Sequence, residues 1–500
     1  MGSLDVTKVL WRRVVAMKIV VVGGGVAGLG TALAAARAGH EVVVVDRDAT
    51  PMPESAHAAF DWDRRGAPQV RHSHAFLARL RNLLIQRCPD IYESLLAAGA
   101  TELRFTENLP PALLDFEPVE GDERLCAIAC RRTTFEWVLR RSVMNVPGVE
   151  LIGGVAVDGV IAEAGPAGVV PNIVGVRGRK ITDYSPFEVR GDVVVDATGP
   201  RTNSAAWLVA AGVIEPEPSV ETCEIVYLSR FYELRDGAEV PSTVGPIAGE
   251  LGYLKFAVFI GDNRTFSLTF AVPTADKDLR VLSQEAIFEA GARQLDLTKP
   301  WLDGRARPLT EVHSMAGLRN RRRWFVDGQG NPIVTGFAAV GDAHICTNPL
   351  YGRGCSLAFV HAFAFVDSLE QGAQGWERTF HDATEREIDP WFRASVQQDK
   401  EAKRIAAAEL QAPTAQTDEV DPSGYVRELF RDGLMPAVRT VPDVYRAFLR
   451  WLNLEATPDA LLTDSVVLAA VMKSHQEKDS RPPEPVLGPD RVSFLAALGA

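Results

Sequence analysis

The sequence predicts an α/β fold: a Rossmann-like nucleotide-binding domain, a β-rich domain interleaved within it, and a helical region toward the C-terminal end. Three observations carry this expectation. An apolar run, a glycine turn, an Ala-rich segment and a second apolar run follow one another from Lys18 to Asp48. A second strand-turn-helix pattern, FAAVGDA leading to SLAFVHAFAFVDSL, comes some three hundred residues later. Between the two, residues 223–273 hold three strand-like stretches, CEIVYLSRFYELR, GYLKFAVFI and RTFSLTFAV.

The first segment, KIVVVGGGVAGLGTALAAARAGHEVVVVDRD, has the order of a βαβ unit, with Gly39 stopping the helix. Gly23, Gly25 and Gly28 form GxGxxG directly after the first strand. The first glycine permits the tight turn, the second lets backbone approach a pyrophosphate, and the third lets helix and strand pack closely, with Ala32 extending the small-residue face. Asp46 ends the second strand, where a carboxylate can accept from a ribose hydroxyl, and the helix N-terminus supplies amide donors to phosphates. NAD and FAD both enter by such a unit, and this segment alone does not separate them.

The second pattern does. Asp342 stands at the carboxyl end of a strand, where ligands of open α/β sheets gather. Asn348-Pro349 then turns the chain, and Gly352 and Gly354 bring bare amides to a helix start that can face an electron-rich ring or a developing anion, while Asp342 reaches a polyol chain. NAD has neither a ribityl chain nor a flavin ring, so a second contact of this kind favours FAD.

The motifs GGGVAGLG, RxxFExxL (Arg132 to Leu139), VVVDATG (Val193 to Gly199) and GDAxxxxNPxxGxGxS together resemble the single-component FAD-dependent monooxygenases of the aromatic hydroxylase fold, a glutathione-reductase-type architecture. Within that superfamily, DRRGAPQVRHSHAFLARLRNLL (Asp63 to Leu84) and NPLYGRG are most similar to the bacterial epoxidases of polyether-antibiotic precursors, distant relatives of squalene epoxidase. The resemblance runs from Met17 to about Gln397 and is weakest over 215–330. It implies that Gly23, Gly25 and Gly28 cradle the FAD pyrophosphate, that Asp46 with the neighbouring Arg47 serves the adenosine end, that Arg132 reaches the phosphate or ribityl region, and that Val157 meets adenine through its backbone. It further implies that Asp342 binds the ribityl chain or pyrophosphate and that Pro349, Gly352 and Gly354 line the isoalloxazine. The implied activity is epoxidation or hydroxylation of an apolar natural product with O2, through a flavin C4a-hydroperoxide; the cytoplasm is expected separately, from the cysteine usage. Such chemistry belongs to the cofactor and obliges no general base, so no catalytic side chain is named. The stretch DATGPR (Asp196 to Arg201) departs from the usual Asp-Gly pair, which leaves open whether NAD(P)H docks directly or a flavin reductase supplies electrons. A dehydrogenase or reductase of the geranylgeranyl-reductase kind shares the fold and stays as an alternative. A flavin-dependent halogenase is a minor one, because the WxWxIP motif and the lysine after the first glycine turn are lacking.

Gln69, Arg71, His72 and His74 are candidates for flavin or substrate-pocket lining, a structural turn being the other reading. The i, i+2 histidines share a face only in an extended segment, and no acidic cluster accompanies them, so no metal is expected. Cys346 and Cys355 are read as packing residues, whereas His344, beside Asp342, fits strand-end packing and a functional role equally. In RTFSLTFAV, Phe266, Leu268 and Phe270 alternate with Thr265, Ser267 and Thr269, implying one buried and one wetter face, with Phe266 and Phe270 as candidate substrate wall. GDN ahead of this strand reads as a hairpin turn.

At 500 residues the chain is long enough for two or three domains, and the proposed division is 17–214 and 331–397 for the FAD-binding domain, 215–330 for the β-rich substrate domain and 398–500 for the helical region. A formal net charge of −12 disfavours broad attraction to nucleic acid, and Arg321-Arg322-Arg323 is read as a solvated turn. The six cysteines contain no CxxC pair and no ligand spacing, which fits a reducing compartment. The first 16 residues lack the apolar core of a secretory signal, Met17 looks like a natural start, and no apolar run is long enough to span a membrane. Leu410 to Gly424 reads as a linker, followed by three amphipathic helices that cap or pack.

Overall fold

The computed structural model describes residues 16–163, 169–241, 247–410, 424, 428–481 and 486–499. The expectations for the leader and for nearly all of the 410–424 linker lie outside these residues.

A parallel sheet of five strands forms the centre, in the order Phe337–Ala339, Val193–Asp196, Lys18–Val22, Glu41–Asp46 and Val149–Gly153. Its three central strands, Lys18–Val22, Glu41–Asp46 and Val193–Asp196, are largely valine and buried on both faces, as parallel sheets require. One face packs under the helices Val26–Arg37, Arg132–Met144 and Gly354–Gln371. The other is covered by a three-stranded antiparallel meander, Val155–Glu163, Asn172–Lys180 and Pro186–Arg190. Because small residues dominate Val26–Arg37, a Cβ at Gly30 would come within 3.3 Å of the Phe359 ring, so the two helices meet at close range.

The β-rich unit is a six-stranded sheet whose centre is the hairpin Lys255–Ile260 and Thr265–Pro273, with Ile225–Leu234 on the other side of the second strand. The hairpin turns at Gly261-Asp262-Asn263, with Asn263 and Arg264 in left-handed backbone at φ 50° and 63°. Strand Thr265–Pro273 corrects the alternation argument. Thr265, Ser267 and Thr269 are buried along with Phe266, Leu268 and Phe270, so neither face is wet. The phenylalanine face packs on Tyr232, Phe288 and Trp301, whereas the hydroxyl face meets the nucleotide-binding domain.

Two further expectations change. Arg321 to Arg323 lie in a strand, Arg319–Arg323, and Arg322 is buried, paired with Glu385 and Asp389 and stacked over Trp324. The proposed boundary between 397 and 398 falls inside helix Asp389–Leu410. Nor is the helical region a unit apart. Helix Arg491–Leu498 inserts Phe494 and Leu495 into the core of the six-stranded sheet, and Pro442–Leu452 packs Val444, Tyr445 and Leu449 on Leu113 and Phe116. No helix among the described residues is long and apolar enough to cross a membrane.

Candidate functional site

The first glycine turn leaves strand Lys18–Val22 and enters helix Val26–Arg37 at Gly25, which is not capped by any side chain. Gly23 has φ 107°, and a Cβ there would lie 2.6 Å from the Ala197 carbonyl oxygen. A Cβ at Gly28 would run into the Gly23 carbonyl oxygen. These two glycines are therefore required by the chain itself. Gly25 differs, because a Cβ there would meet nothing within 4 Å.

The second turn has the same division. Gly352 has φ 66° and its Cβ position lies 2.7 Å from Ala75 Cβ, so it is set by backbone and by the His72–Ala75 segment. Gly354 is exposed, with open space in front of it, and begins helix Gly354–Gln371, whose first amides also lack a side-chain cap. Uncapped helix starts present free N–H donors and partial positive charge, the requirements of an anionic or electron-rich ligand.

The two turns converge. Gly341, just before Asp342, sits against Ala27, with a Cβ position 2.8 Å from the Ala27 Cβ. Arg132 bridges the remaining distance. It is buried, its Nε donates to Glu136 Oε1 at 2.6 Å, and its Nη1 donates to His74 Nε2 at 3.2 Å and to Cys355 Sγ at 3.0 Å. His74 can accept because its Nδ1 donates to the His72 carbonyl at 2.9 Å. Burial and the neighbouring Arg132 charge push the His74 pKa down to about 3, so the ring is neutral.

Asp342 is half-buried as a residue, and its carboxyl has no hydrogen-bond partner among the described residues. Burial raises its pKa to about 6, with Arg132 opposing. A half-buried carboxyl left unmatched beside two uncapped helix starts calls for donors from outside the chain, which the hydroxyls of a polyol supply. The residues thus fit FAD: amides for phosphate at one end, an acceptor for the ribityl chain in the middle, and open space at Gly354 for a ring.

The other candidates fall into place around this groove or away from it. Asp46 is buried, its Oδ1 accepting from Asp48 N and its Oδ2 from Arg140 Nη1, each at 3.2 Å, which leaves acceptor capacity on both oxygens. Arg47 is exposed. Val157 lines a pocket of about 370 Å³ with Asn203, Trp207 and Arg177. Pro349 is exposed at the second turn. Gln69 is half-buried and Arg71 exposed. His72 is buried with Nδ1 3.2 Å from Ser229 Oγ, and burial lowers its pKa to about 4. Phe266 and Phe270 belong to the far core of the sheet and do not face the groove.

The face that meets the nucleotide-binding domain was not identified from sequence. Strand register puts Tyr227, Ser229 and Phe231 beside Ala271, Thr269 and Ser267, and these beside Lys255, Ala257 and Phe259. Tyr227 donates to Asn348 Oδ1 at 2.6 Å, Ser73 lies 2.7 Å from Ser267 and 2.6 Å from Thr269, and Phe60 packs on Phe231. The signal was present in the hydroxyl residues sharing one phase of two otherwise apolar strands. Sequence reading also missed Arg64, which is buried, donates to Asp48, Glu136 and the Gly24 carbonyl, and so ties the Asp63–Leu84 segment to the first glycine turn. His344 packs against His361 and Phe325, and Cys346 and Cys355 carry free thiols. Among the described residues no cluster of three or more His, Cys, Asp or Glu could hold a metal ion.

Residues 18–138 match the family model described as FAD dependent oxidoreductase. No curated protein sequence matches the chain. Among solved structures, the flavin-dependent brominase Bmp2 is similar at 18% identity and a TM-score of 0.57, over 94% of this chain and 100% of that one. PqsL of Pseudomonas aeruginosa, a probable FAD-dependent monooxygenase, is similar at 16% identity and a TM-score of 0.54, over 78% of this chain and 97% of that one. OxyS, the anhydrotetracycline hydroxylase of Streptomyces rimosus, is similar at 18% identity and a TM-score of 0.55, over 88% of this chain and 76% of that one. At such identities the likeness is one of fold. The chain carries an FAD-dependent oxidoreductase domain and has the fold of the flavin-dependent monooxygenases and halogenases.

Proposed function

We propose that the protein is an FAD-dependent monooxygenase that epoxidises or hydroxylates an apolar organic substrate bearing a hydrogen-bonding group. The observation that carries this reading is the open space at Gly354, at an uncapped helix start whose preceding turn is bonded to the six-stranded sheet through Tyr227 and Asn348. When bound, reduced FAD supplies the activation of O2. The chain supplies position and enclosure. The amides at Gly25 hold the pyrophosphate, Asp46 accepts from the adenosine ribose, Val157 offers a backbone edge to adenine, and Asp342 accepts from the ribityl chain. The amides at Gly354 would receive the ring, and the bare Cα there leaves space beside it.

The substrate lies between this turn and the sheet. Phe231, Phe259 and Ala257 give an apolar bed, while His72, Ser229 and His313 supply neutral hydrogen-bonding groups at one side. Burial lowers the pKa of both histidines, so neither adds a cation that would keep water in the cavity. Reduced holoenzyme offered alkene-bearing substrates under labelled O2 tests the reading. Label in the product supports oxygenation, whereas stoichiometric substrate reduction without oxygen uptake refutes it in favour of a reductase. Electrons come from NAD(P)H, directly or through a flavin reductase, and oxidation of NADPH by the purified holoenzyme alone distinguishes these.

A further inference from the structure

Between Asn348 and Gly354 the second turn has few anchors of its own. Pro349 is exposed, Gly352 has no side chain, and only Asn348 and Arg353 are buried. At the first end Asn348 is 1% exposed and its side chain is almost fully used: Oδ1 accepts from Tyr227 at 2.6 Å and from Leu350 N at 3.1 Å, and Nδ2 donates to Asp399 Oδ1 at 2.6 Å. Asp399 is itself buried, and its Oδ2 accepts from Asn320 Nδ2 at 2.7 Å, while Asn320 Oδ1 accepts from Asn348 N at 2.7 Å. At the other end Arg353 is fully buried, packed over the rings of Tyr351 and Trp391, and its Nη1 donates to Gln398 Oε1 at 3.1 Å. Consecutive residues of one helix, Asp389–Leu410, therefore hold both ends of the turn.

Core packing alone does not demand a buried carboxylate there, since burial disfavours its charged form and raises its pKa. What the carboxylate provides is two acceptors with fixed directions, one for each amide. Removing it leaves the Asn348 and Asn320 amides buried without partners, and the turn loses its reference to the helix.

We propose that Asp399, seconded by Gln398, is a positioning residue that fixes the Asn348–Gly354 turn where the flavin ring is received. This rests on the reading that the turn receives the ring. Asp399 touches neither cofactor nor substrate; it acts through Asn348. The phosphate-end contacts at Gly25 and Asp46 are independent of it, so affinity for FAD and the state of the ring separate.

The test is reciprocal exchange in full-length holoenzyme. Asp399→Asn sets an amide against one of the two amide donors and removes one bond. The double variant N348D/D399N restores every bond with the Asn348–Asp399 polarity reversed. For D399N we expect an FAD dissociation constant within about tenfold of wild type, together with an altered visible circular dichroism of the bound flavin and a shifted midpoint potential. The double variant returns both to wild-type values. A wild-type flavin signature in D399N, or a double variant that folds and keeps the altered signature, overturns the proposal. If D399N does not fold, the double variant alone decides by the same criterion. Gly354→Val is the control for the underlying reading: a changed flavin signature there with none in D399N refutes only the role of Asp399, whereas no change in either refutes the seat of the ring.

Discussion

The Arg132 guanidinium lies 3.0 Å from the Cys355 thiol, joining the helix that carries RxxFExxL to the first turn of the helix that begins at Gly354. Its principal partner is Glu136, which also pairs with Arg64. One buried network thus connects both glycine turns and the Asp63–Leu84 segment. Arg132→Met leaves Glu136 with half its compensation and should cost about 3 kcal/mol in denaturant unfolding, because a buried charge stripped of its partner is expensive. The double variant R132M/E136Q should recover part of that loss. Equal stability of the single variant and wild type would mean that Arg64 alone satisfies Glu136.

Glycines that the chain needs and glycines that a ligand needs respond differently to a methyl group. Gly28→Ala drives a Cβ into the Gly23 carbonyl oxygen, so the apoprotein should be strongly destabilised or fail to fold. Gly354→Ala meets open space, so apoprotein melting should stay within a degree or two while FAD affinity falls. Calorimetry of apoprotein alongside FAD titration checks the pair, and equal effects of both changes on the apoprotein would contradict the open groove.

Asp342 has no partner to lose, so its removal should be invisible without cofactor. Asp342→Ala should leave apoprotein stability unchanged or slightly raised, since an unpaired half-buried carboxyl is relieved. It should weaken FAD binding by roughly 10- to 100-fold, the worth of a hydrogen bond to a charged group. Undiminished flavin retention would remove Asp342 from the groove.

Acid should unfold the protein through its neutral histidines. His361 Nδ1 accepts from Gly341 N at 3.2 Å, its Nε2 faces Thr384 Oγ1 at 3.0 Å, and burial holds its pKa down at about 3. His74 is held at about 3 and His72 at about 4. An unfolded chain regains a value of about 6.5, so below that pH it binds protons that the folded chain refuses. Stability is therefore full above pH about 6.5 and drains as pH falls toward 4 for His72 and toward 3 for His361 and His74, each histidine contributing up to about 1.4 kcal/mol per pH unit. His361→Gln, which can keep both hydrogen bonds, should reduce that slope between about pH 6.5 and 4.5. An unchanged slope would exclude His361 as a source.

Local order was legible. The βαβ unit, the glycine turn, the GDA strand end and the GDN hairpin each depend on residues within a few positions of one another, so pattern and turn chemistry sufficed. The wall of the groove was not. Strand Thr265–Pro273 is buried on both sides, and period-two alternation tells the two faces apart without saying which meets another domain. The anchors of the second turn were hidden for a related reason: Asp399 and Tyr227 lie 51 and 121 residues from Asn348, beyond any local signal. Arg321 to Arg323 reads as solvated because nothing near it in sequence pairs with Arg322; Glu385 and Asp389 arrive from two distant helices, Trp376–Glu387 and Asp389–Leu410.

The two faces of the central strand separate stability from substrate handling. Phe270 is 1% exposed and packs on Phe288 with ring centroids 4.7 Å apart, so Phe270→Ala should cost about 3–5 kcal/mol by transfer and cavity terms. Provided the variant remains folded at the assay temperature, its KM and FAD affinity should match wild type, because nothing on that side meets the groove. Ala257 shares the opposite face with Thr269 and Ser229 and is half-buried. Ala257→Trp should leave unfolding within about 1 kcal/mol of wild type, the usual scale for a partly exposed change, while raising KM or abolishing turnover by filling the bed. The reverse pattern, a stable F270A with impaired substrate use and an A257W that turns over normally, would put the substrate on the phenylalanine side of the sheet.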